Sequence, residues 1–503
     1  MDALSVLIVI ALMHCSLFFF DMLFKSCSHF PYLYFLENTG LEIQLLRVKW
    51  FTTAFNRKII KWGTDRSRFW TAWFNAGVII SIILLPIAVV IILKMTFNML
   101  LIGSLSDTSP GAILEPMLPG VDVPFHEIGY YIITLAICSI VHELGHALAA
   151  AREDVQLFGL GILIFFTIPI AYVHIGNDQL VSLPLRNQLR IACAGIWHNI
   201  ILATVAAAIL ILSTWLWAPL YNIGSGVYVK TILPNSPVLG PTGLLEHDVI
   251  YKLNNCPVKN SEDWYDCMLH AVQHPALGYC IKQSFIQVTY EIFIIDYDES
   301  VPAKQKTNGA VNCCTSDSEI NGNLCFEYIE GPQTAPLHLP PHSCLPVRTT
   351  LNQSQNFCQA SHECLSQDTH CMKPSLDNVT KIIQLKRKID KDVLFVGHPA
   401  DIYKTVDVSD WVPKYSFLDP KLPESFALLC KYITVFSAGL AIINVVPCFF
   451  LDGQYILSVV VLYLLNSMPH SKNIRESIVL TITSIGTLLL ITNLMYLLIN
   501  KLL

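Results

Sequence analysis

Long apolar runs separated by short polar stretches organise most of the chain. Runs long enough to cross a bilayer recur at about 3–24, 74–102, 128–151, 190–219 and 477–499. Two more runs are interrupted, 158–176 by Pro169 and 427–465 by Pro447. Backbone freed by such a break is tolerated in lipid only where protein buries it or it lines a watery cavity. Both interrupted runs are therefore expected beside a site. The pattern changes between 225 and 425. Residues 226–264 alternate as strands, with a Pro/Gly turn, a short helix and a second strand at "DVIYKLNN"; 393–412 is strand-like again. Between them, 300–380 is rich in Cys, Pro, Ser, Asn and Gln with little periodicity, and reads as a disulfide-tied loop.

This patterning predicts a polytopic α-helical membrane protein with an inserted β-rich domain carrying a Cys-rich loop. Its parts are an N-terminal anchor helix and basic loop (1–69), a transmembrane core (70–224), the insertion (225–425, with the Cys-rich stretch at about 300–380) and a second core segment (426–503). Composition agrees. The 503 residues are 53% hydrophobic and only 14% charged, and mean hydropathy is +0.50. A formal charge of −6 gives no reason to expect nucleic-acid binding. The partner implied is the lipid bilayer.

The first run lacks a basic leader, since Asp2 precedes it, and has no small-residue cleavage site, so it reads as a retained anchor. The stretch 47–69 carries seven Lys or Arg against one Asp. That suits either a cytoplasmic loop or an interfacial helix binding headgroups, and its orientation stays open. Ten of the sixteen cysteines lie between Cys256 and Cys371, together with a sequon at Asn352; a second sequon at Asn378 follows. Disulfide-forming cysteines beside glycosylation candidates place the insertion in an oxidising lumen or outside the cell. Cys358, His362, Cys364, His370 and Cys371 resemble zinc ligands in type, but lack the paired spacing of a zinc motif, and disulfides are the expectation.

The chemistry centres on "ICSIVHELGHALAA" (137–150), an apolar run holding His142, Glu143 and His146. On a helix, His142 and His146 share one face a turn apart, the bite one zinc ion needs. Glu143 beside the first ligand is placed to act on a water rather than on the metal. Each ionisable group at the centre of a membrane helix costs about 2.5–3.5 kcal/mol, so its default reading is functional. Zinc ligation, worth on the order of 10 kcal/mol in structural sites, offsets that cost.

Two histidines leave a catalytic zinc site one protein ligand short. Glu153 and Asp154 lie past the run and read as solvated flank residues. Asp452 in "AIINVVPCFFLDGQYIL" (441–457) is the stronger candidate: a carboxylate in the second interrupted run, with no Lys or Arg nearby. The alternative is a protonated Asp in an interhelical hydrogen bond. Asn199 in "AGIWHN" (194–199) could donate to a substrate backbone or oxyanion, or make an interhelical bond instead; adjacent His198 reads as a packed histidine.

"HELGH" and "NVVPCFFLDG", about 300 residues apart, together resemble the signature of the site-2 proteases, a family of intramembrane zinc metalloproteases. The second stretch matches that family's pattern at Asn444, Pro447, Leu451, Asp452 and Gly453. The resemblance implies His142, His146 and Asp452 as ligands of one catalytic zinc, and Glu143 as the acid/base. Asn199 and Asn444 are the candidates for substrate or oxyanion contact. It further implies a PDZ-like lumenal domain, from which this chain departs at His247, where such domains usually carry Gly. Implied substrates are membrane-spanning transcription-factor precursors, sterol regulatory element-binding proteins and a stress-activated bZIP factor, already trimmed by a lumenal protease. The implied location is the Golgi and endoplasmic reticulum membrane. The competing class is an intramembrane metal or proton transporter, which also places His, Glu and Asp on broken helices; no second half of the chain repeats the first.

Overall fold

A computed structural model describes residues 3–102, 123–240, 242–289, 304–305, 310–314, 322–329, 341–354, 356–364, 368–465 and 472–502. The chain divides into two compact units, Met1–Ser213 with Ser425–Leu503, and Thr214–Glu424.

The first unit is built on six described helices long and apolar enough to cross a membrane: Ile8–Ser26, Ser67–Met99, Phe125–Arg152, Leu185–Ile211, Lys421–Val445 and Asn473–Ile499. They make the chain a polytopic helical membrane protein. The run expected to extend to 219 ends at Ile211. The run broken by Pro447 resolves into Lys421–Val445 and a shorter helix, Asp452–Leu464. The other interrupted run departs from expectation. Residues 158–176 form an antiparallel hairpin, Leu157–Phe165 against Ile168–Ile175. The basic stretch contributes a strand of the same sheet, Arg47–Thr52, and a helix, Asn56–Thr64. Gly159 and Gly161 disfavour helix, and Ile162, Ile164, Ile168, Ile170, Val173 and Ile175 favour strand.

Pro169 is accommodated because of where its strand lies. Ile168–Ile175 is the edge of the four-stranded sheet. Its Ala171 amide points away from the sheet and donates to Ser139 Oγ at 2.7 Å. Position 169 shares that outward side, so its missing N–H costs the ladder nothing. At the hairpin tip, buried His14 of the N-terminal helix donates from Nε2 to the Phe166 carbonyl at 2.6 Å.

Two helices meet closely in this unit. Ala147, Ala149 and Ala150 of the helix Ile128–Arg152 are fully buried and pack with Ile191 and Ala194 of Leu185–Ile211. Glu153 is not the solvated residue expected: it is 9% exposed and pairs with Arg190 at 3.0 Å. A cation from the neighbouring helix makes its burial affordable. Asp154 is exposed.

The second unit is β-rich. One sheet joins Val227–Ile232, Val249–Leu253, Lys381–Arg387, Val393–Gly397 and Val406–Ser409. It packs Val227, Ile250, Leu253, Ile383 and Leu385 against Trp264 of the helix Ser261–Gln273. The expected short helix between the first two strands is a series of turns among the described residues. The segment 393–412 is strand, helix (Pro399–Thr405) and strand. His247 has φ 79, which explains why glycine suits this position; its Nδ1 meets the Tyr228 hydroxyl at 2.7 Å.

The Cys-rich stretch is less of a loop than its composition suggests. Its described parts join Gly278–Lys282 in a second, five-stranded sheet. Five disulfides pair all ten cysteines of this unit: 256–267, 280–364, 313–325, 314–344 and 358–371. Cys280, Cys358 and Cys364 lie close enough to suggest a metal group, but their sulfurs already belong to two neighbouring disulfides. Asn352 and Asn378 are both exposed.

Candidate metal centre

The site lies within the membrane unit and is assembled from four segments. The helix Ile128–Arg152 carries His142, Glu143 and His146. The helix Leu185–Ile211 crosses behind them with Gly195 and Asn199. The hairpin strand Ile168–Ile175 runs beside Glu143, and Asp452 arrives at the start of its own helix after the Pro447 break.

His142 Nε2 and His146 Nε2 are 3.2 Å apart, and Asp452 Oδ2 lies 3.1 Å from the first and 3.3 Å from the second. Donors bound tetrahedrally to zinc at about 2.0–2.1 Å stand roughly 3.3 Å from one another, so this triangle has the size a zinc ion requires. Two further features fit a metal. Asp452 Oδ2 is buried and faces the two imidazole nitrogens, so a cation held between the three would offset the cost of burying a carboxylate there. A Cβ at Gly195 would lie 2.3 Å from His146 Nε2 and 2.6 Å from His142 Nε2. Glycine leaves the space in front of both imidazoles clear. A donor set of two nitrogens and one oxygen matches the three protein ligands of catalytic zinc sites rather than the four of structural ones.

The supporting groups fix the donors' orientation. His146 Nδ1 donates to the Ile191 carbonyl at 2.8 Å, which leaves its Nε2 lone pair free to bind. Asn199 is 0% exposed, with its amide nitrogen 3.3 Å from His142 Nδ1 and its Oδ1 unpartnered. Exchanging the two ends of the amide would let Nδ1–H donate to Oδ1 and satisfy both groups. Of the two roles open to Asn199, this geometry is that of an interhelical bond. His198 is packed: its Nδ1 meets the Ala194 carbonyl at 2.8 Å and its ring lies near Trp73 and Phe74.

Glu143 is half-buried, and its carboxylate accepts a hydrogen bond from the Val173 amide. Asn444, one residue before the end of Lys421–Val445, is half-buried. Gly453 is required where it stands, because a Cβ there would lie 2.1 Å from the Val446 carbonyl oxygen.

Gly195 and Val173 escaped the sequence reading. Gly195 is visible only as a glycine three residues before His198. Val173 acts through its backbone, which side-chain chemistry does not reveal.

Two buried histidines, a carboxylate between them and a second carboxylate alongside, inside a bundle of apolar helices, define a membrane metallopeptidase type of centre. Residues 130–491 match peptidase family M50, and the chain belongs to that family of zinc metalloproteases. It is also 26% identical over 451 residues, 80% of this chain and 83% of the relative, to the membrane-bound transcription factor site-2 protease homolog of Arabidopsis thaliana.

Proposed function

We propose that this protein is an intramembrane zinc metalloendopeptidase that cleaves a transmembrane helix of another protein. The observation carrying this reading is the convergence of His142, His146 and Asp452 to within 3.1–3.3 Å of one another, beside Glu143, in a chain of a metallopeptidase family. A zinc ion held by the three would polarise the scissile carbonyl and acidify a water.

The protein's own residues do the rest. Glu143, held by the Val173 amide, takes the attacking water's proton and delivers it to the leaving amine. Asn199 and the Ile191 carbonyl keep the two imidazoles facing inward. Asn444, with no side-chain hydrogen bond among the described residues, is left to contact substrate or oxyanion. A helical substrate hides its carbonyls in hydrogen bonds, so it unwinds locally before the cut, which helix-weak residues near the bond assist.

The substrates are membrane-anchored transcription-factor precursors, sterol regulatory element-binding proteins and a stress-activated bZIP factor, cut after a first lumenal cleavage to release a cytosolic fragment. The name of the plant relative supports that class. Five disulfides and two exposed sequons support a lumenal placement for 225–425 in Golgi and endoplasmic reticulum membranes. The sheet flanked by the helices Ser261–Gln273 and Pro399–Thr405 supports a PDZ-like domain there. The organisation proposed is an anchor helix and basic stretch (1–69) that shares its sheet with the core, a core segment (70–224), the insertion (225–425) and a second core segment (426–503).

The test is Glu143→Gln in cells lacking the endogenous protein. Zinc content should be unchanged, and cleavage of a trimmed helical substrate should fall about 10²–10⁴-fold, the contribution of a positioned acid/base. Normal cleavage by this variant would overturn the mechanism. Metal flux without cleavage in the unmutated protein would favour a transporter.

A further inference from the structure

We propose that the last helix, Lys472–Leu502, holds the third metal donor in place through Gly486 and Thr487, and that Thr487 is a positioning residue for Asp452. The claim rests on the metal-site reading above and concerns a part of the chain that neither sequence motif reaches.

The argument starts from the amides that the Pro447 break sets free. At membrane depth each must find a partner within the protein. Val446 N–H donates to the Ile443 carbonyl at 3.1 Å, Cys448 to Val446 at 2.8 Å and Leu451 to Cys448 at 3.4 Å. Pro447 has no amide hydrogen. Phe450 N–H reaches Gln454 Oε1 at 3.3 Å. The remaining amide, that of Phe449, donates to Thr487 Oγ1 at 3.0 Å.

Within 446–451, Thr487 is thus the one partner supplied from outside the segment and its flanking helices. Its own hydroxyl hydrogen goes to the Thr483 carbonyl at 2.7 Å, so its lone pairs face the broken segment. The Cys448 side chain shares the same hydroxyl. One residue earlier, a Cβ at Gly486 would lie 2.4 Å from the Pro447 carbonyl oxygen. Glycine here lets the segment lie directly on the helix. Phe450 adopts φ 68, a conformation a non-glycine residue keeps only when its surroundings impose it. Asp452 follows two residues later, so slippage of this turn would move its carboxylate relative to the two histidines.

Thr487→Val removes the acceptor while keeping the shape. Bound zinc should pass to a competing chelator about tenfold faster, in the range seen when an outer partner of a metal ligand is lost. A second readout needs no metal. In zinc-stripped protein, N-ethylmaleimide should modify Cys448, 1% exposed in the intact fold, about threefold to tenfold faster by peptide mass mapping. Cys138, fully buried on the helix Ile128–Arg152 and outside the cluster that holds Cys448, should be unchanged.

Thr487→Ser should restore both readouts. Thr492→Val, which removes a hydroxyl bonded only within its own helix, should leave both at the wild-type level. If Thr487→Val exposes Cys138 as well, Gly486→Ala decides: labelling of Cys448 without Cys138 supports the proposal and its absence overturns it. Unchanged zinc loss and unchanged Cys448 labelling in Thr487→Val also overturn it. Should the unmutated protein bind no zinc, the metal reading fails while the labelling still tests whether Thr487 positions the turn.

Discussion

Pro169 and Pro447 interrupt similar apolar runs, and the backbone around them takes opposite courses. Around Pro169 the chain is extended and pairs with a neighbouring strand, with the proline on an outward edge where no ladder bond is lost. Around Pro447 the chain is helical on both sides, and the freed amides turn to side chains and a tight turn. Each solution delivers something to the same centre. The hairpin supplies a backbone amide to Glu143, and the broken helix supplies a side chain, Asp452, to the group that could hold a metal. A proline in an apolar run thus announces that backbone must be satisfied by some special means. Local propensity alone does not choose between the two courses: β-branched residues flank Pro169 and also precede Pro447 as Ile442, Ile443, Val445 and Val446, so Gly159, Gly161 and the packing partners decide.

The largest effect should come from the donor that the second break delivers. Asp452→Asn keeps the shape but removes the charge that joins the two imidazoles. Zinc affinity should fall by more than the roughly hundredfold that loss of an outer partner can cost, and cleavage should disappear with it. Metal content of the purified protein, measured beside a cleavage assay, checks both. If the variant retained full zinc, the broken helix would be structural and the two breaks would no longer share a purpose.

Much of this was legible in the chain. The spans, the pair "HELGH" and the distant Asp452 follow from hydropathy and from the cost of an unpaired charge in lipid. The hairpin was not legible from hydropathy, because a short apolar run reads the same as strand or helix; Gly159 and Gly161 were the sign available. Glu153 was missed for a related reason: its partner Arg190 is 37 residues away, so the sequence offered no sign of the ion pair that buries it. Gly195, Val173 and Thr487 act through space or backbone, and only packing reveals them.

A middle-sized effect should separate the hairpin's role from the helix's. Val173→Pro places a second proline on the outward edge, where position 169 already tolerates one. The ladder should survive, but the amide donated to Glu143 is gone. A hydrogen bond to a charged group contributes about 1.5–3 kcal/mol, so cleavage should fall about tenfold to a hundredfold. Zinc content should not change, since no metal donor moves. A parallel loss of zinc would mean that the hairpin supports the whole centre rather than one carboxylate.

The smallest effect is expected at Pro169 itself, and it tests the geometric argument most directly. Pro169→Ala adds an N–H on the outward side, leaves the register Ile164 opposite 169 intact, and touches neither Ser139 nor Glu143, whose donors are Ala171 and Val173. Position 169 is only half-buried, so the added N–H displaces no packed core. A change of this kind, away from any core or network, usually stays within about 0.5 kcal/mol, roughly a twofold effect on cleavage. The proline would then be permitted by the strand rather than demanded by it. A loss as large as that of Val173→Pro would show instead that the edge must carry no donor at 169.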